Sequence, residues 1–122
     1  MTELTQNERR TLSVLGFLLL RLGLADRAAA VYDALSEMTD AREKRQALTG
    51  AAAALLDLNK PQEALNRLKI AAEGRPLTTA EAAIALLKAR ALWQQGRVEE
   101  ARNWRDQYLY LSGQLNEGKT EK

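Results

Sequence analysis

The sequence predicts an all-α protein with a single domain, and two observations lead to this prediction: its composition and its regular helix boundaries. Ala and Leu are abundant and cost little free energy in a helix, whereas aromatic residues make up only 5% of the chain. A β-sandwich or barrel needs more aromatic and turn residues, and the chain has only 2 Pro. A length of 122 residues leaves room for one core, so one domain is expected over residues 1–115.

Helix starts are marked by a capping-box spacing, in which Ser, Thr or Asp is followed three residues later by Glu. The spacing occurs three times, at Thr5 with Glu8, Asp40 with Glu43, and Thr78 with Glu81. It predicts where the first, third and fifth helices begin. A further start is indicated by Pro61, because proline is tolerated in the first turn of a helix.

Helix ends are marked by residues that favour a left-handed C-terminal cap. Gly23, Asn59 and Gly96 each follow an apolar segment and precede the next helix by a few residues, and Gly74 and Pro76 close the fourth helix. Together these signals predict six helices, over residues 5–22, 26–38, 41–58, 61–73, 79–95 and 98–114. Residues 116–122 are short and polar, and we expect them to be disordered.

The six helices divide into three similar pairs, over residues 5–38, 41–73 and 79–114. The predicted caps at Gly23, Asn59 and Gly96 are 36 and 37 residues apart, and Ala28, Ala64 and Ala101 keep the same spacing. One helix pair cannot bury its own apolar face, so three copies are expected to stack.

Composition excludes most enzyme classes. The chain has no Cys and no His, which removes thiolate nucleophiles, Cys/His zinc sites and Ser-His catalysis, and no carboxylate pair is placed for catalysis. We therefore expect no enzymatic activity, cofactor or metal. A net charge of +2 gives little attraction for nucleic acid. The start of the chain lacks a signal-peptide layout, and the apolar run 11–24 is too short for a bilayer, so a cytoplasmic protein without membrane insertion is expected.

The helix pairs resemble tetratricopeptide (TPR) repeats, whose pattern is W-x2-L-G-x2-Y followed by A-x3-F and P. The first pair matches this pattern with Leu12, Leu15, Gly16, Leu19, Ala28 and Tyr32. The second pair matches it with Leu48, Ala51, Ala52, Leu55, Ala64 and Leu68, and Pro76 stands at the closing position. The third pair matches it with Ala85, Lys88, Ala89, Leu92 and Ala101, but has Arg105 in place of the aromatic residue. The resemblance implies a short right-handed superhelix with a concave groove. A plain helical bundle and an RNA-binding pentatricopeptide array remain as alternatives.

In TPR proteins a second stripe on the first helix of each repeat lines the groove and binds a partner peptide. Here the corresponding candidates are Arg10, Ser13, Phe17, Leu20 and Arg21; Gln46, Thr49, Ala53 and Leu56; and Leu86, Arg90, Trp93 and Gln94. Phe17, Leu20 and Trp93 have a competing interpretation as core residues. Arg21 and Arg90 have one as solvated side chains. Trp104 and Tyr108 share one apolar stripe of the last helix and are expected to cap the core.

The segment 15–35, LGFLLLRLGLADRAAAVYDAL, is similar to the opening of the YscY-type (SctY) chaperones of bacterial type III secretion. The similarity rests on Gly16 with Phe17, Gly23, and the run from Asp26 to Ala28. It implies a bacterial cytoplasmic chaperone whose client is a secreted YscX-like injectisome component with an amphipathic helix, and a possible contact with the cytoplasmic domain of the export gate. The alternatives are a general TPR scaffold or a chaperone for another secreted client, such as a translocator or needle subunit.

Overall fold

The computed structural model describes residues 4–73 and 76–120, and the side chains of residue 80 and of residues 114–120 are not described. Within these ranges the chain is helical and contains no strand, so the all-α prediction is confirmed. The α-helices are α1 (Gln6–Arg21), α2 (Ala25–Glu37), α3 (Ala41–Asp57), α4 (Pro61–Ala71), α5 (Ala82–Gln94) and α6 (Val98–Thr120). A short 3-10 turn, Thr79–Glu81, precedes α5.

Helix α3 lies at the centre of the fold. Each helix packs against the next one along the chain, and α3 also contacts α1 and α5. The contact surface of α3 consists mainly of alanine and leucine, and its buried residues are Ala47, Leu48, Ala51, Ala52, Ala54, Leu55 and Leu56. Because alanine adds little volume, neighbouring helices can approach α3 closely on several sides.

Three interhelical turns share one geometry. Gly23, Asn59 and Gly96 have φ angles of +82°, +60° and +78°, the left-handed region that Gly and Asn tolerate. At the first turn the Gly23 N–H donates to the Leu20 carbonyl at 3.1 Å and the Leu24 N–H to the Leu19 carbonyl at 2.9 Å. The same pair of bonds recurs at the other two turns. The three predicted C-terminal caps are therefore confirmed, and each satisfies two carbonyls that would otherwise lack partners.

The first predicted capping box is also confirmed. The Glu8 N–H donates to Thr5 Oγ1 at 3.1 Å, and the Thr5 N–H donates to Glu8 Oε1 at 2.9 Å. Pro61 lies in the first turn of α4, as predicted.

The other two predicted capping boxes are wrong. Asp40 and Thr78 occupy N-cap positions, but neither makes a side-chain capping bond. Their glutamates lie against arginines of neighbouring helices instead: Glu43 pairs with Arg9 at 2.7 Å and Glu81 with Arg45 at 2.8 Å. An ion pair with a neighbouring guanidinium competes for the same carboxylate with the capping bond from a backbone N–H.

Two helix ends differ from the predictions by more than one residue. Helix α4 ends at Ala71 rather than at residue 73, and Gly74 lies outside the described residues. Helix α6 extends to Thr120, past its predicted end at residue 114 and into the segment expected to be disordered; residues 121 and 122 are not described. Once its first turns are fixed by packing, a helix propagates readily through residues such as Gln, Leu, Glu and Lys, which follow here.

The Tyr32 ring is held between α1 and α3 at two glycines. A Cβ atom at Gly16 would lie 2.9 Å from the ring, and one at Gly50 would lie 2.7 Å from it. Ala28, one turn earlier on α2, is fully buried. The glycines therefore provide the space that the aromatic side chain fills, and this contact joins the first three helices.

Among the residues that the structure describes, four ion pairs join different helix pairs. Arg9 pairs with Glu43, Arg45 with Glu81, Arg67 with Asp33 and Arg90 with Asp57, all at 2.7–2.8 Å. The Arg67 pair is bidentate, with a second contact of 3.1 Å, and the hydrogen bonds to Asp33 raise the pKa of Arg67. Each pair therefore links one helix hairpin to the next.

The glycine contact with Tyr32 yields a stability prediction. Gly50→Ala gains up to about 1 kcal/mol of helix propensity, but it forces a methyl group into a ring that Gly16 confines from the opposite side. Overpacking costs about 1–3 kcal/mol, so we expect a net loss of unfolding free energy in urea denaturation. Gly113→Ala is the matched control, because no atom lies within 4 Å of the added Cβ, and it should be neutral or stabilising. Equal effects at the two glycines would contradict this packing.

Burial of Tyr32 yields a pH prediction. Burial raises the pKa of the Tyr32 phenol above its ordinary value of 10.0, because the folded protein disfavours the phenolate. The contribution of the buried neutral phenol to the unfolding free energy is complete below pH 10.0 and is lost as the pH rises through the pKa of Tyr32 in the folded protein. Tyr32→Phe should therefore reduce the fall in unfolding free energy above pH 10.0, whereas Tyr110→Phe, at an exposed position, should not. An unchanged alkaline slope for Tyr32→Phe would refute this assignment.

Candidate partner-binding site

A small cavity lies between the first halves of α1 and α3 and the end of α2. Its volume is about 190 Å³, and its lining includes three of the predicted groove residues, Arg10, Ser13 and Gln46. Arg10 and Ser13 are one turn apart on α1, which explains why both face the same space. Arg9 and Glu43 also line it, joined by their ion pair.

A second, larger cavity lies beside it. It measures about 730 Å³ and is lined by α3 and by the segment that leads into α5; its residues are Arg42, Arg45, Gln46, Thr49, Pro76, Thr78, Glu81, Ala83 and Ile84. Gln46 lines both cavities. Four predicted groove residues, Arg10, Ser13, Gln46 and Thr49, thus line two neighbouring cavities, which together we call the basic hollow.

The basic hollow carries more positive than negative side chains. Four arginines line it, Arg9, Arg10, Arg42 and Arg45, against the two glutamates Glu43 and Glu81. Arg9 and Arg45 are paired with these glutamates, whereas Arg10 and Arg42 are exposed and make no ion pair with the residues that the structure describes. The hollow is therefore suited to a partner segment with acidic side chains.

Three further predicted groove residues lie on the second half of α1. Phe17 is 50% exposed, and the Arg21 guanidinium lies 5.5 Å from the centre of its ring. Leu20 is half-buried and packs against the core. Ala53, which follows Phe17 by 36 residues and occupies the equivalent position on α3, is also half-buried. This half of the surface is therefore more apolar than the basic hollow, and Phe17 is a large aromatic side chain exposed on it.

Leu56 is a core residue and does not line an open surface. It is 2% exposed and belongs to the same buried cluster as Ile84 and Ala91 of α5. Gln94 covers its backbone, with Nε2 donating to the Leu56 carbonyl at 3.1 Å. The prediction of Leu56 as a groove residue is therefore corrected: the side of α3 on which it lies is the side against which α5 packs.

Three predicted residues of α5, Leu86, Arg90 and Trp93, are exposed at the other end of the fold, and Gln94 is half-buried. Leu86 is 43% exposed and Trp93 is 64% exposed, while Arg90 donates to Asp57 at 2.8 Å. Trp93 follows Leu56 by 37 residues, so it occupies the equivalent position on α5 without a further helix to cover it. Helices α1 and α5 do not contact each other in the part of the chain that the structure describes, so Phe17 and Trp93 flank α3 rather than sharing one patch.

The last helix places its aromatic residues as predicted for a capping helix. Ala101 and Leu111 are buried, and Trp104 and Tyr108 are half-buried. The Lys88 ammonium lies 4.3 Å above the Trp104 ring, and burial lowers the pKa of this lysine. Trp104 and Lys88 line a cavity of about 580 Å³ between α4, α5 and α6, apart from the candidate residues.

Several residues of the basic hollow were not identified from sequence. Arg42 and Arg45 share a helix face with Gln46 and Thr49, and this spacing is the signal that could have found them. The contributions of Pro76, Thr78 and Glu81 depend on how the segment before α5 folds back over α3, which no local pattern specifies.

No protein-family model matches this sequence, and no curated protein matches it. Among the described residues, none of the helices combines the length and apolarity that crossing a bilayer requires. Function is therefore inferred from the geometry of the chain and from its sequence patterns.

The contrast between Leu56 and Trp93 can be tested by truncation. Leu56→Ala removes a fully enclosed side chain and should lower the unfolding free energy by about 2–5 kcal/mol. Trp93→Ala removes a side chain that is 64% exposed and should have a much smaller effect. Urea denaturation of both variants measures the difference, and a Trp93 variant as unstable as the Leu56 variant would place Trp93 in the core.

Proposed function

We propose that this protein is a TPR-type binding protein that holds a partner polypeptide across α1, α3 and α5. The observation that carries the proposal is the basic hollow, whose two neighbouring cavities are lined by residues of α1, of α3 and of the start of α5. Its combined size suits a peptide or helix better than a small metabolite, because it is open and shallow rather than enclosed.

Two features support a TPR-like arrangement of the helix pairs. The interhelical turns share one hydrogen-bond pattern, at spacings of 36 and 37 residues. Ala28, Ala64 and Ala101 keep the same spacing and are exposed by only 0%, 0% and 4%. Repeated turns and repeated close contacts are what a stack of similar helix hairpins requires.

The partner that we propose is a secreted, YscX-like component of a bacterial type III secretion system, held in the cytoplasm until export. The support is the similarity of segment 15–35 to YscY-type chaperones. In this proposal an amphipathic helix of the client lies on the surface, with its apolar side near Phe17 and acidic side chains in the basic hollow. The cytoplasmic domain of the export gate would then be a second partner of the complex.

The proposal is tested by co-expression with the neighbouring genes of the same genome. A small secreted protein that co-purifies in a fixed ratio, and is insoluble when expressed alone, is the expected result. If the chain captures instead a component of a lasting assembly with no export role, it is a general TPR scaffold and the secretion proposal is wrong.

Variants on the binding surface sharpen this test. Phe17→Asp and Trp93→Ala should reduce client capture without loss of helical circular dichroism, because both residues are at least half exposed. Leu109→Asp is the matched control, since Leu109 is 55% exposed on α6, away from the proposed surface. Equal losses with all three variants would show that the client does not use α1, α3 and α5.

A further inference from the structure

None of the predicted groove residues lines the cavity between α4, α5 and α6. Its volume is about 580 Å³, within the range that is usual for small-molecule sites. Part of its lining is apolar, and two of these residues, Ala72 and Leu77, also pack against the buried core. Lys88 of α5 and Trp104 of α6 line it as well. We call this space the α6 cavity.

Two features of the sequence make room for the α6 cavity, and the first is a long connection before α5. Residues 38–40 join α2 to α3, whereas residues 72–81 join α4 to α5. Pro76 and Leu77 belong to the longer connection and line the α6 cavity. Pro76 also lines the basic hollow, and it is the one described residue that the two sites share. The connection therefore borders both sites, whereas the charged residues of each site line that site alone.

The second feature is a smaller side chain on α4. Lys88 follows Ala51 by 37 residues, the interval between the second and third repeated turns. Ala51 is fully buried, in one cluster with Tyr32 of α2. The residue of α4 that follows Tyr32 by 36 positions is Leu68, which lacks the ring and the hydroxyl of tyrosine. Lys88 therefore occupies a position that is closed on α3 and that lies beside open space on α5.

Lys88 brings a positive charge to the α6 cavity without an acidic partner. Its ammonium lies 4.3 Å from the centre of the Trp104 ring, and it makes no ion pair or hydrogen bond with the residues that the structure describes. None of the described residues that line the cavity is acidic. Burial lowers the pKa of Lys88, whereas an opposite charge nearby would raise it. An anion in the cavity would supply the opposite charge that this lysine lacks.

The lining favours one class of anion. A single ammonium matches one negative charge, whereas a phosphate group carries about two at neutral pH. Asn103 and Gln107, one turn apart on α6, add amide groups at the exposed edge of the cavity, and neither side chain makes a hydrogen bond with the described residues. A carboxylate has one charge and accepts hydrogen bonds at both oxygens. Apolar surface from Leu77 and Trp104 in the same cavity suits an apolar group attached to that carboxylate.

We propose that the α6 cavity binds a small organic carboxylate with an apolar body. The carboxylate pairs with the Lys88 ammonium, and the apolar body lies against Trp104 and Leu77. This site does not depend on the proposed secretion role, because Lys88 and Trp104 do not line the basic hollow.

The probe for this site is octanoate, which has one carboxylate and an apolar chain. Acetate keeps the carboxylate without the chain, and octylamine keeps the chain with the opposite charge, so these two compounds are the controls. Trp93→Phe leaves Trp104 as the remaining one of the 2 tryptophans, so the fluorescence of this variant reports on the α6 cavity. Octanoate should change that fluorescence saturably, and acetate and octylamine should each bind at least tenfold more weakly.

Further substitutions in the Trp93→Phe chain test the role of the lysine. Lys88→Gln should weaken octanoate binding at least tenfold. Lys60→Gln is the matched control, because Lys60 is exposed and lines neither the α6 cavity nor the basic hollow, and it should leave binding within twofold. Gln107→Glu places a competing carboxylate at the exposed edge of the cavity and should weaken octanoate binding at least fivefold.

Any of three results would overturn the proposal. Weakening by Arg42→Gln but not by Lys88→Gln would place octanoate in the basic hollow, which Arg42 lines. Equal binding of octanoate and octylamine would show that the apolar chain alone drives binding. The absence of a saturable response to octanoate below about 10 mM would show that the cavity does not select a carboxylate. If Lys88→Gln does not fold, the exposed Gln107→Glu variant takes its place in the first comparison.

Discussion

Close contact between helices at small residues is the constraint on which the fold depends. The Tyr32 ring can lie between α1 and α3 only because Gly16 and Gly50 have no side chains there, and α3 meets its other neighbours through alanines. Such helix contacts are stabilised by large side chains that fit against small residues. Adding one methyl group at such a small residue therefore disturbs the packing of several helices together. The position of α3, and with it the basic hollow, follows from this packing.

Local backbone chemistry made part of the fold predictable from sequence. The caps at Gly23, Asn59 and Gly96 were found because a left-handed turn needs particular residues whatever surrounds it. The capping boxes at Asp40 and Thr78 were wrong because their glutamates have arginine partners far away in sequence. The prediction succeeded at Thr5, where no such partner takes the place of the capping bond.

The candidate site shows the same division between local and long-range information. Spacing along a helix correctly grouped Arg10 with Ser13 and Gln46 with Thr49, because residues three or four apart share a face. It could not separate Leu56 from Trp93, which have equivalent positions in similar helices. Leu56 is buried by α5, whereas none of the described helices covers Trp93, so the distinction depends on which helices pack nearby rather than on either residue.

The ion pairs between helix hairpins have a mechanical consequence. Arg67 with Asp33 and Arg90 with Asp57 lie at the surface, where such pairs contribute at most about 1 kcal/mol each and are weakened by salt. Their separations of 34 and 33 residues mean that they hold neighbouring hairpins in one mutual orientation and add little to any single hairpin. Rising ionic strength should therefore weaken these contacts between neighbouring hairpins while leaving the hydrogen bonds and apolar packing inside each hairpin almost unchanged.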